Sequence, residues 1–316
     1  MTDLIPVGLV GAGGHAEELR RHSAPVRGLR MTRYAPAPNG DDQADCAELA
    51  RHFKAEFVPD WRAVTEDPSV SAVLVFGAPA GRLEVLISAL RAGKVVLCPF
   101  PAAPDATSLR AVSEARAEGG GILLMLGEIA GTAAGAHMLD ALRSDRLGVP
   151  NSIWAAIRSR RSTIPAEDVT EQHGWPVLDF LLTAISETPA RVHATLAHLF
   201  ESGPHPDTAV VLLRFERPLI ATIELSRCLP ASMAVPPSGE LEIEVIGSRG
   251  VVRIEPYNTT VRVYGDTEVS ARPWVDGAVV RTLPQVIAAV ESRTEDLSLR
   301  RNELAVPIME RIRSPR

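Results

Sequence analysis

Short apolar runs alternate with amphipathic stretches through the first third of the chain. The apolar runs lack a polar residue at every second position, which is typical of parallel strands covered on both faces. The strand-like runs are residues 6–10, 26–35, 68–79, 94–101 and 121–126, and the helical stretches are residues 15–23, 45–55, 81–93 and 105–120. This alternation predicts an α/β fold in which a doubly wound parallel sheet of the Rossmann type is covered by helices.

The pattern changes after Gly127. Helical stretches at residues 131–148 and 176–186 enclose one strand-like run, and a strand-rich region separated by turns follows as far as residue 265. Two further helices are predicted at Pro284–Ser292 and Asp296–Arg313. We therefore expect residues 1–127 to form a dinucleotide-binding domain. Residues 128–316 are expected to form an α+β domain on an open, mostly antiparallel sheet.

Composition and charge narrow the possible partners. The 316 residues carry a formal charge of −6 and only 4% are aromatic, which argues against nucleic acid and against an acidic membrane surface. No apolar run approaches the ~20 residues of a transmembrane helix. The three cysteines, Cys46, Cys98 and Cys228, have no metal-binding or disulfide spacing. We therefore expect a cytoplasmic protein without a metal site.

The first strand runs directly into a glycine-rich turn that opens a helix, and this turn fits the pattern G-x-G-x-x-A. Gly11 permits the tight turn, Gly13 lets the backbone approach a pyrophosphate, and Ala16 lets helix and strand pack closely. Gly14 and His15 complete a helix N-terminus that offers N–H groups to phosphates. The turn predicts a dinucleotide site, and the alternative is a glycine-rich turn that binds nothing.

The choice between NAD and NADP depends on the end of the second strand. NAD usually meets a carboxylate there, about 20 residues after the glycine turn, whereas NADP meets a cation. Residues 31–36 contain no carboxylate, and the first one downstream is Asp41. Arg33 could pair with a 2′-phosphate, so NADP is slightly favoured over NAD. The alternative is that Arg33 is a solvated surface residue.

Nearly the whole chain resembles the Gfo/Idh/MocA (glucose–fructose oxidoreductase / inositol dehydrogenase) family. The resemblance rests on VGLVGAGGHA, VFGAPAGRLEVLISALRAGKVVLCPFP, WPVLDFLLTAI and LEIEVIGSRGVVRIE. It implies a Rossmann domain followed, in residues 128–316, by an α/β domain that binds the substrate and whose open sheet forms a homodimer or larger oligomer. It also implies a nicotinamide cofactor, with Ala78 and Pro79 among its contacts, and a sugar, polyol or related carbonyl compound as substrate.

Two chemical positions of that family are substituted here. In the family's AGKHVLCEKP segment the glutamate falls on Pro99 and the lysine on Phe100. The resemblance assigns substrate binding and proton transfer to that lysine, and phenylalanine can do neither. The family's aspartate and histidine, four residues apart on a helix, correspond to Asp179 and Thr183. We expect positions 100 and 183 to line a cleft and to tolerate the family's residues.

Three residues are the candidate catalytic groups that remain: Asp179, Thr183 and His173, which precedes their helix. A threonine hydroxyl donates a hydrogen bond but carries protons poorly near neutral pH. For His173 the alternative is a loop or capping role, and for Asp179 it is a buried helix residue bonded to a loop. Lys94 is a poor replacement for the lost lysine, and Glu128 is a weaker candidate.

Two functions remain open. The first is an NAD(P)-binding oxidoreductase with degenerate or altered catalytic residues, because the cofactor carries the hydride and the protein mainly orients the substrate. The alternative is a non-catalytic relative that binds a ligand or a partner protein.

Overall fold

A computed structural model describes residues 4–21, 28–38, 43–77, 79–144, 146–161, 168–233, 239–254, 260–265, 269–273, 277–293 and 298–314. By packing, the chain divides into two compact units. The first unit is Met1–Gly131 with Asp276–Glu303, and the second is Thr132–Val275 with Leu304–Arg316. The predicted domains were each one continuous stretch, whereas the structure assigns a segment near the C-terminus to the first unit. The roles given to the two domains stay predictions.

The described strands are β1 Ile5–Val10, β2 Leu29–Ala35, β3 Glu56–Phe57, β4 Ala72–Val75, β5 Val95–Pro99, β6 Ile122–Leu126, β7 Pro150–Arg160, β8 Arg191–Ala197, β9 Thr208–Arg214, β10 Ile220–Leu229, β11 Glu240–Gly247, β12 Gly250–Ile254, β13 Thr260–Gly265 and β14 Val269–Pro273. The described helices are α1 Gly14–Arg21, α2 Gln43–Phe53, α3 Arg62–Thr65, α4 Pro79–Arg91, α5 Ala106–Gly119, α6 Ala133–Arg143, α7 Trp175–Ile185, α8 Ala278–Ser292 and α9 Ser298–Arg313, with a π-helical turn at Thr170–Gly174.

The first unit is built on a six-stranded parallel sheet in the order β3-β2-β1-β4-β5-β6, which confirms the predicted Rossmann-type sheet. Strands β4, β5 and β6 are buried along their whole length, as expected for strands covered on both faces. The chain leaves β1 toward β2 on one side and returns at β4 on the other. The carboxyl ends of β1 and β4 therefore form the topological switch point where such sheets bind ligands.

Helix α8 completes the core of the first unit. It begins at Ala278, earlier than the predicted start at Pro284, and it packs on β5 and β6. Val279, Leu283 and Val286 lie on one helical face and are fully buried with the sheet residues. The N–H of Val279 donates to Glu18 Oε1 over 2.7 Å, which ties the start of α8 to α1.

The second unit contains an eight-stranded sheet in the order β14-β13-β12-β11-β7-β10-β9-β8. Its neighbouring strands are antiparallel except β7 and β10, so the predicted open, mostly antiparallel sheet is confirmed. Along β9 buried and exposed residues alternate, with Val211 and Leu213 inside and Val210 and Leu212 outside. Within the described chain, no helix is both long and apolar enough to cross a membrane.

Candidate functional site

Gly11 is fixed in the space between the ends of β2 and β4. Its N–H donates to Ala35 O over 2.9 Å, and its carbonyl accepts from the buried Tyr34 hydroxyl over 2.8 Å. Its φ is +99°, and a Cβ at this position would lie 2.4 Å from Phe76 O. Only glycine satisfies both the backbone conformation and the packing, so the residue type follows from the local fold.

Beyond Gly11 the turn is open to solvent. A Cβ on Gly13 or Gly14 would meet nothing within 4 Å, and both residues are exposed. The first bond of α1 runs from Glu17 N–H to Gly13 O, so the N–H groups of Gly14, His15 and Ala16 precede helical pairing. Ala16 is fully buried, as close packing of α1 requires. This donor set fits a pyrophosphate, which binds helix N-termini of this kind.

His15 extends from the glycine turn across the carboxyl edge of the sheet. Its ring stacks on Phe76 with centroids 5.7 Å apart, and Nε2 lies 3.6 Å from Glu128 Oε1. Burial, followed by the positive charge of Arg82, lowers the pKa of His15 to about 4. The imidazole is therefore neutral at pH 7, and its approach to Glu128 is not an ion pair at that pH.

Arg82 is a buried cation at the same edge of the sheet. It lies in the first turn of α4, and 6% of its surface is exposed. Its Nη1 donates to Pro99 O over 3.2 Å, at the end of β5. Burial lowers the pKa of Arg82, while the nearby Cys98 and Glu128 act in the opposite direction. Burial also raises the pKa of Cys98 to about 12, so this thiol carries no charge near neutral pH.

Arg33 is held by protein groups instead of facing the glycine turn. Its Nε lies 2.9 Å from Asp67 Oδ2 and 3.5 Å from Glu56 Oε2, and Nη1 donates to Ala63 O over 2.8 Å. Asp67 precedes β4, at the amino end of that strand, whereas the glycine turn lies at the carboxyl end of β1. These contacts remove the observation on which the preference for NADP rested. After Arg33, the chain continues through the buried residues 34–37, and β2 ends at Ala35.

The side chains of two predicted cofactor contacts, Ala78 and Pro79, lie outside the described part of the chain. Ala78 lies outside the described residues. Pro79 begins α4, but its side chain is outside the described part of the chain. Both assignments stay predictions.

The two side chains around the substituted lysine position differ in their placement. Phe100 follows β5, and only 3% of its surface is exposed, which contradicts the expectation that it lines a cleft. The expectation that this position tolerates lysine loses its support and is a matter for experiment. Lys94 precedes β5 at the opposite edge of the sheet. Its Nζ donates to Asp67 O over 2.6 Å and to Val70 O over 2.7 Å. Lys94 therefore has a structural role, in which it joins two backbone carbonyls at the edge of the sheet opposite the glycine turn.

Helix α7 carries the other candidate positions. Asp179 is fully buried, and the Thr183 hydroxyl donates to Asp179 O over 2.7 Å. The threonine proton is thus used by the helix backbone. His173, in the π-helical turn, is 3% exposed, and its Nε2 lies 2.9 Å from Ser159 Oγ. Burial and the charge of Arg227 lower the pKa of His173 to about 4, which favours the alternative of a loop or capping role over a catalytic one.

Two family models cover most of the chain. A model described as an oxidoreductase family with an NAD-binding Rossmann fold matches residues 5–127, and the Gfo/Idh/MocA C-terminal domain matches residues 137–253. The chain belongs to the Gfo/Idh/MocA oxidoreductase family. Its first unit is the family's NAD-binding Rossmann fold.

Individual relatives agree with this assignment. The Gfo/Idh/MocA chain is 27% identical over 274 residues to an inositol 2-dehydrogenase of Pseudomonas fluorescens, covering 82% of this chain and 76% of that protein. An oxidoreductase of Agrobacterium radiobacter, solved with NAD+, L-tartaric acid and magnesium, has a TM-score of 0.85 at 14% identity, covering 99% and 96% of the two chains. Levoglucosan dehydrogenase with NADH and levoglucosan has a TM-score of 0.79 at 18% identity, covering 99% and 97%. The likeness to these solved structures is one of fold.

Arg82 is the residue of this Gfo/Idh/MocA chain that the sequence analysis missed. A signal was present, because Arg82 shares a helical face with Val85, Leu86 and Ala89, which are fully buried. A charged residue within an apolar stripe is rarely buried without a partner. Among the described residues, no three His, Cys, Asp or Glu side chains converge to hold a metal ion.

Proposed function

We propose that this Gfo/Idh/MocA protein is an oxidoreductase that acts on a sugar, polyol or related small carbonyl compound with a nicotinamide cofactor. The observation that carries the proposal is the open glycine turn, where Gly13 and Gly14 leave space beside the N–H groups of the helix start. When bound, the cofactor supplies or accepts the hydride. The names of the relatives, inositol 2-dehydrogenase and levoglucosan dehydrogenase, support a small hydroxylated substrate.

The contacts of Arg33 favour NAD as that cofactor. Its guanidinium is engaged by Asp67 and by the Ala63 carbonyl, so a 2′-phosphate would have to displace an existing ion pair. NADP would also gain no other cation from residues 34–37, which follow Arg33 and are buried. We therefore expect NADH to raise the melting temperature at least as much as NADPH at equal concentration.

A single carboxylate at Gly14 tests the cofactor site. Gly14→Asp is expected to weaken NADH binding about 10- to 100-fold, because the negative charge would face the pyrophosphate at the helix start. Its matched control is Gly14→Asn, which has the same shape without the charge and is expected to bind far better than the aspartate variant. Fluorescence titration with NADH measures both affinities.

The free protein should tolerate both substitutions. The Gly14 position has open space for a side chain, and an acidic residue in the first turn of a helix is stabilising. Equal NADH affinity in the wild type and in both Gly14 variants would contradict a pyrophosphate site at this turn. Absence of binding in the wild type would remove the oxidoreductase proposal altogether.

Proton transfer differs from that of the family lysine and histidine. We propose that the partly exposed Thr183 lines the substrate-binding side of α7, that the fully buried Asp179 is a structural residue of this helix, and that His173 positions the helix through Ser159. Among the described histidines, His15 is the one that lies in the predicted nucleotide-binding turn, next to Glu128. Loss of a general acid or base lowers the rate by about 10²–10⁴-fold, so we expect slow turnover of simple polyols.

The non-catalytic alternative is supported by the loss of two chemical positions, Phe100 and Thr183. It predicts NADH binding without hydride transfer. Absorbance at 340 nm with a panel of polyols and sugar acids distinguishes the two functions, because any NAD-dependent oxidation raises it.

The three free cysteines, Cys46, Cys98 and Cys228, support the proposal of a cytoplasmic location.

We also propose that the protein self-associates through the outer face of the second unit's sheet. Val210, Leu212 and Ile220 lie on neighbouring strands β9 and β10 and are 45%, 42% and 48% exposed. Clustered exposed apolar residues of this kind mark protein interfaces. Leu212→Glu is expected to convert an oligomer to monomers in light scattering, whereas Leu4→Glu, at an exposed leucine of the first unit, should not. A wild-type monomer would contradict this proposal.

A further inference from the structure

Arg82 is a charged side chain in a position that would ordinarily be apolar. The residues on its face of α4, Val85, Leu86 and Ala89, are fully buried, and only 6% of the surface of Arg82 is exposed. Burial of a charge is unfavourable unless the group is paired and hydrogen-bonded. A helix that needed only packing here would be more stable with an apolar residue. The guanidinium therefore needs hydrogen-bond acceptors, and preferably an anion, close to it.

The protein supplies only part of that partner. One nitrogen, Nη1, donates to Pro99 O, and this is the one hydrogen bond of Arg82 within the described chain. No carboxylate of the described residues lies within 4.0 Å of the guanidinium, and Glu128 acts on it only from a longer distance. Cys98 is a neutral thiol at pH 7. Several N–H groups of the guanidinium thus remain available.

The unbonded nitrogens of Arg82 are not sealed inside the protein. Buried side-chain nitrogens without a hydrogen bond occur among the described residues at Arg217 and Arg313, and Arg82 is not one of them. Its Nε and Nη2 therefore keep some contact with solvent.

Arg82 also lies where a Rossmann sheet binds its ligands. It follows β4, touches the last residue of β5, and is close enough to His15 for its charge to lower the imidazole pKa. Its acceptor, Pro99, immediately precedes Phe100, the position of the family's lysine. Phe100 cannot supply the positive charge that the family's lysine carries after β5. Arg82 of α4 supplies a positive charge next to this position.

We infer that Arg82 binds a carboxylate of the substrate, so that the substrate is a sugar acid or another hydroxy acid rather than a neutral polyol. This inference rests on the proposed function and narrows its substrate class. A guanidinium presents its N–H donors as a planar fork that matches the two oxygens of a carboxylate, whereas a lysine ammonium is a point charge. Arginine stays protonated in proteins, so its role is to bind and orient, not to transfer a proton.

A matched pair of probes tests the inference. D-gluconate and D-sorbitol have the same carbon chain and differ at one end, which is a carboxylate in the first and an alcohol in the second. Calorimetric titration of the full chain, with and without NADH, is expected to show gluconate binding more tightly than sorbitol. In Arg82→Gln the affinity for gluconate should fall about 30-fold or more, as for loss of one partner of a buried charged pair, and sorbitol should change little.

Two further variants make the result interpretable. Arg82→Lys keeps the charge without the fork, so it should retain the preference for gluconate but bind it more weakly than the wild type. Arg91→Gln changes an arginine on the same helix that pairs with Glu118 at the surface, and it should bind both probes like the wild type. Melting temperatures of all variants without ligand identify any that fail to fold. Arg82→Lys provides the comparison if Arg82→Gln does not fold.

The outcomes separate this inference from the proposed function. NADH binding with equal affinity for gluconate and sorbitol would overturn the role of Arg82 and leave the oxidoreductase proposal standing. Gluconate affinity that is the same in the wild type, Arg82→Gln and Arg82→Lys would also overturn it. Failure of NADH to bind would count against the proposed function, and the titrations without NADH would still test the carboxylate site.

Discussion

Lysine in place of Phe100 is expected to destabilise the first unit by several kcal/mol. Only 3% of the Phe100 surface is exposed, and its backbone N–H donates to Leu126 O, so a side chain at this position is buried at the end of β5. Removal of a buried phenylalanine costs about 3–5 kcal/mol, and burial of an unpaired ammonium adds to this loss. Thermal and urea unfolding of Phe100→Lys measure the effect.

Two variants provide the controls for this experiment. Phe100→Leu keeps an apolar side chain and should lose less than half as much stability, because only the missing volume matters. Thr183→His, on the partly exposed position of α7, should change stability little. A Phe100→Lys protein as stable as the wild type would mean that the ammonium reaches solvent. In that case the family's lysine could be restored by one substitution.

The parts of the fold that the sequence predicted are those with local signals. The parallel sheet followed from apolar runs that lack polar alternation, and the structure buries β4, β5 and β6 completely. The positive φ of Gly11 and Gly13 is imposed by the tight turn between β1 and α1, which are adjacent in sequence. It could therefore be predicted from the G-x-G spacing. These elements need no knowledge of distant residues.

The parts that the sequence did not predict depend on contacts between distant segments. Helix α8 packs on a sheet that precedes it by more than 150 residues, and no local pattern specifies this partner. Arg33 illustrates the same limit for a single side chain. Its position near the end of β2 suggested a phosphate contact, but its direction is decided by Asp67 and Ala63 on another segment.

Residue type alone was equally uninformative about charge and burial at the candidate site. Phe100 was expected to border open space, yet only 3% of its surface is exposed. The apolar neighbours of Arg82 on its face of α4 indicate burial, but only the structure shows that its guanidinium donates to Pro99 O at the end of β5. The candidate site therefore combines a predictable backbone turn with side chains whose roles depend on packing.

The free energy of unfolding is expected to fall by about 3 kcal/mol between pH 6.5 and pH 4 because of His173 alone. The pKa of His173 is lowered from 6.5 to about 4 in the folded protein, first by burial and then by the charge of Arg227. Above pH 6.5 the imidazole is neutral in both states, and the full stability is present. Between these values only the unfolded chain takes up the proton, which favours unfolding by about 1.4 kcal/mol per pKa unit.

Below pH 4 the folded protein also binds this proton, so the loss from His173 levels off. His173→Gln cannot titrate but keeps an N–H that can donate to Ser159 Oγ, and its stability should fall less over the same window. His15 has a pKa of about 4 as well, so a part of the acid sensitivity should remain in this variant. Ser159→Ala is the complementary control, since it leaves the buried imidazole in place. It should lose stability at neutral pH, by about 1–3 kcal/mol for the unpaired nitrogen, and its stability should still fall below pH 6.5.

Urea unfolding at pH 7.5, 5.5 and 4.5 measures these free energies of unfolding. Identical pH dependence in the wild type and His173→Gln would show that His173 binds its proton equally in the folded and unfolded chains.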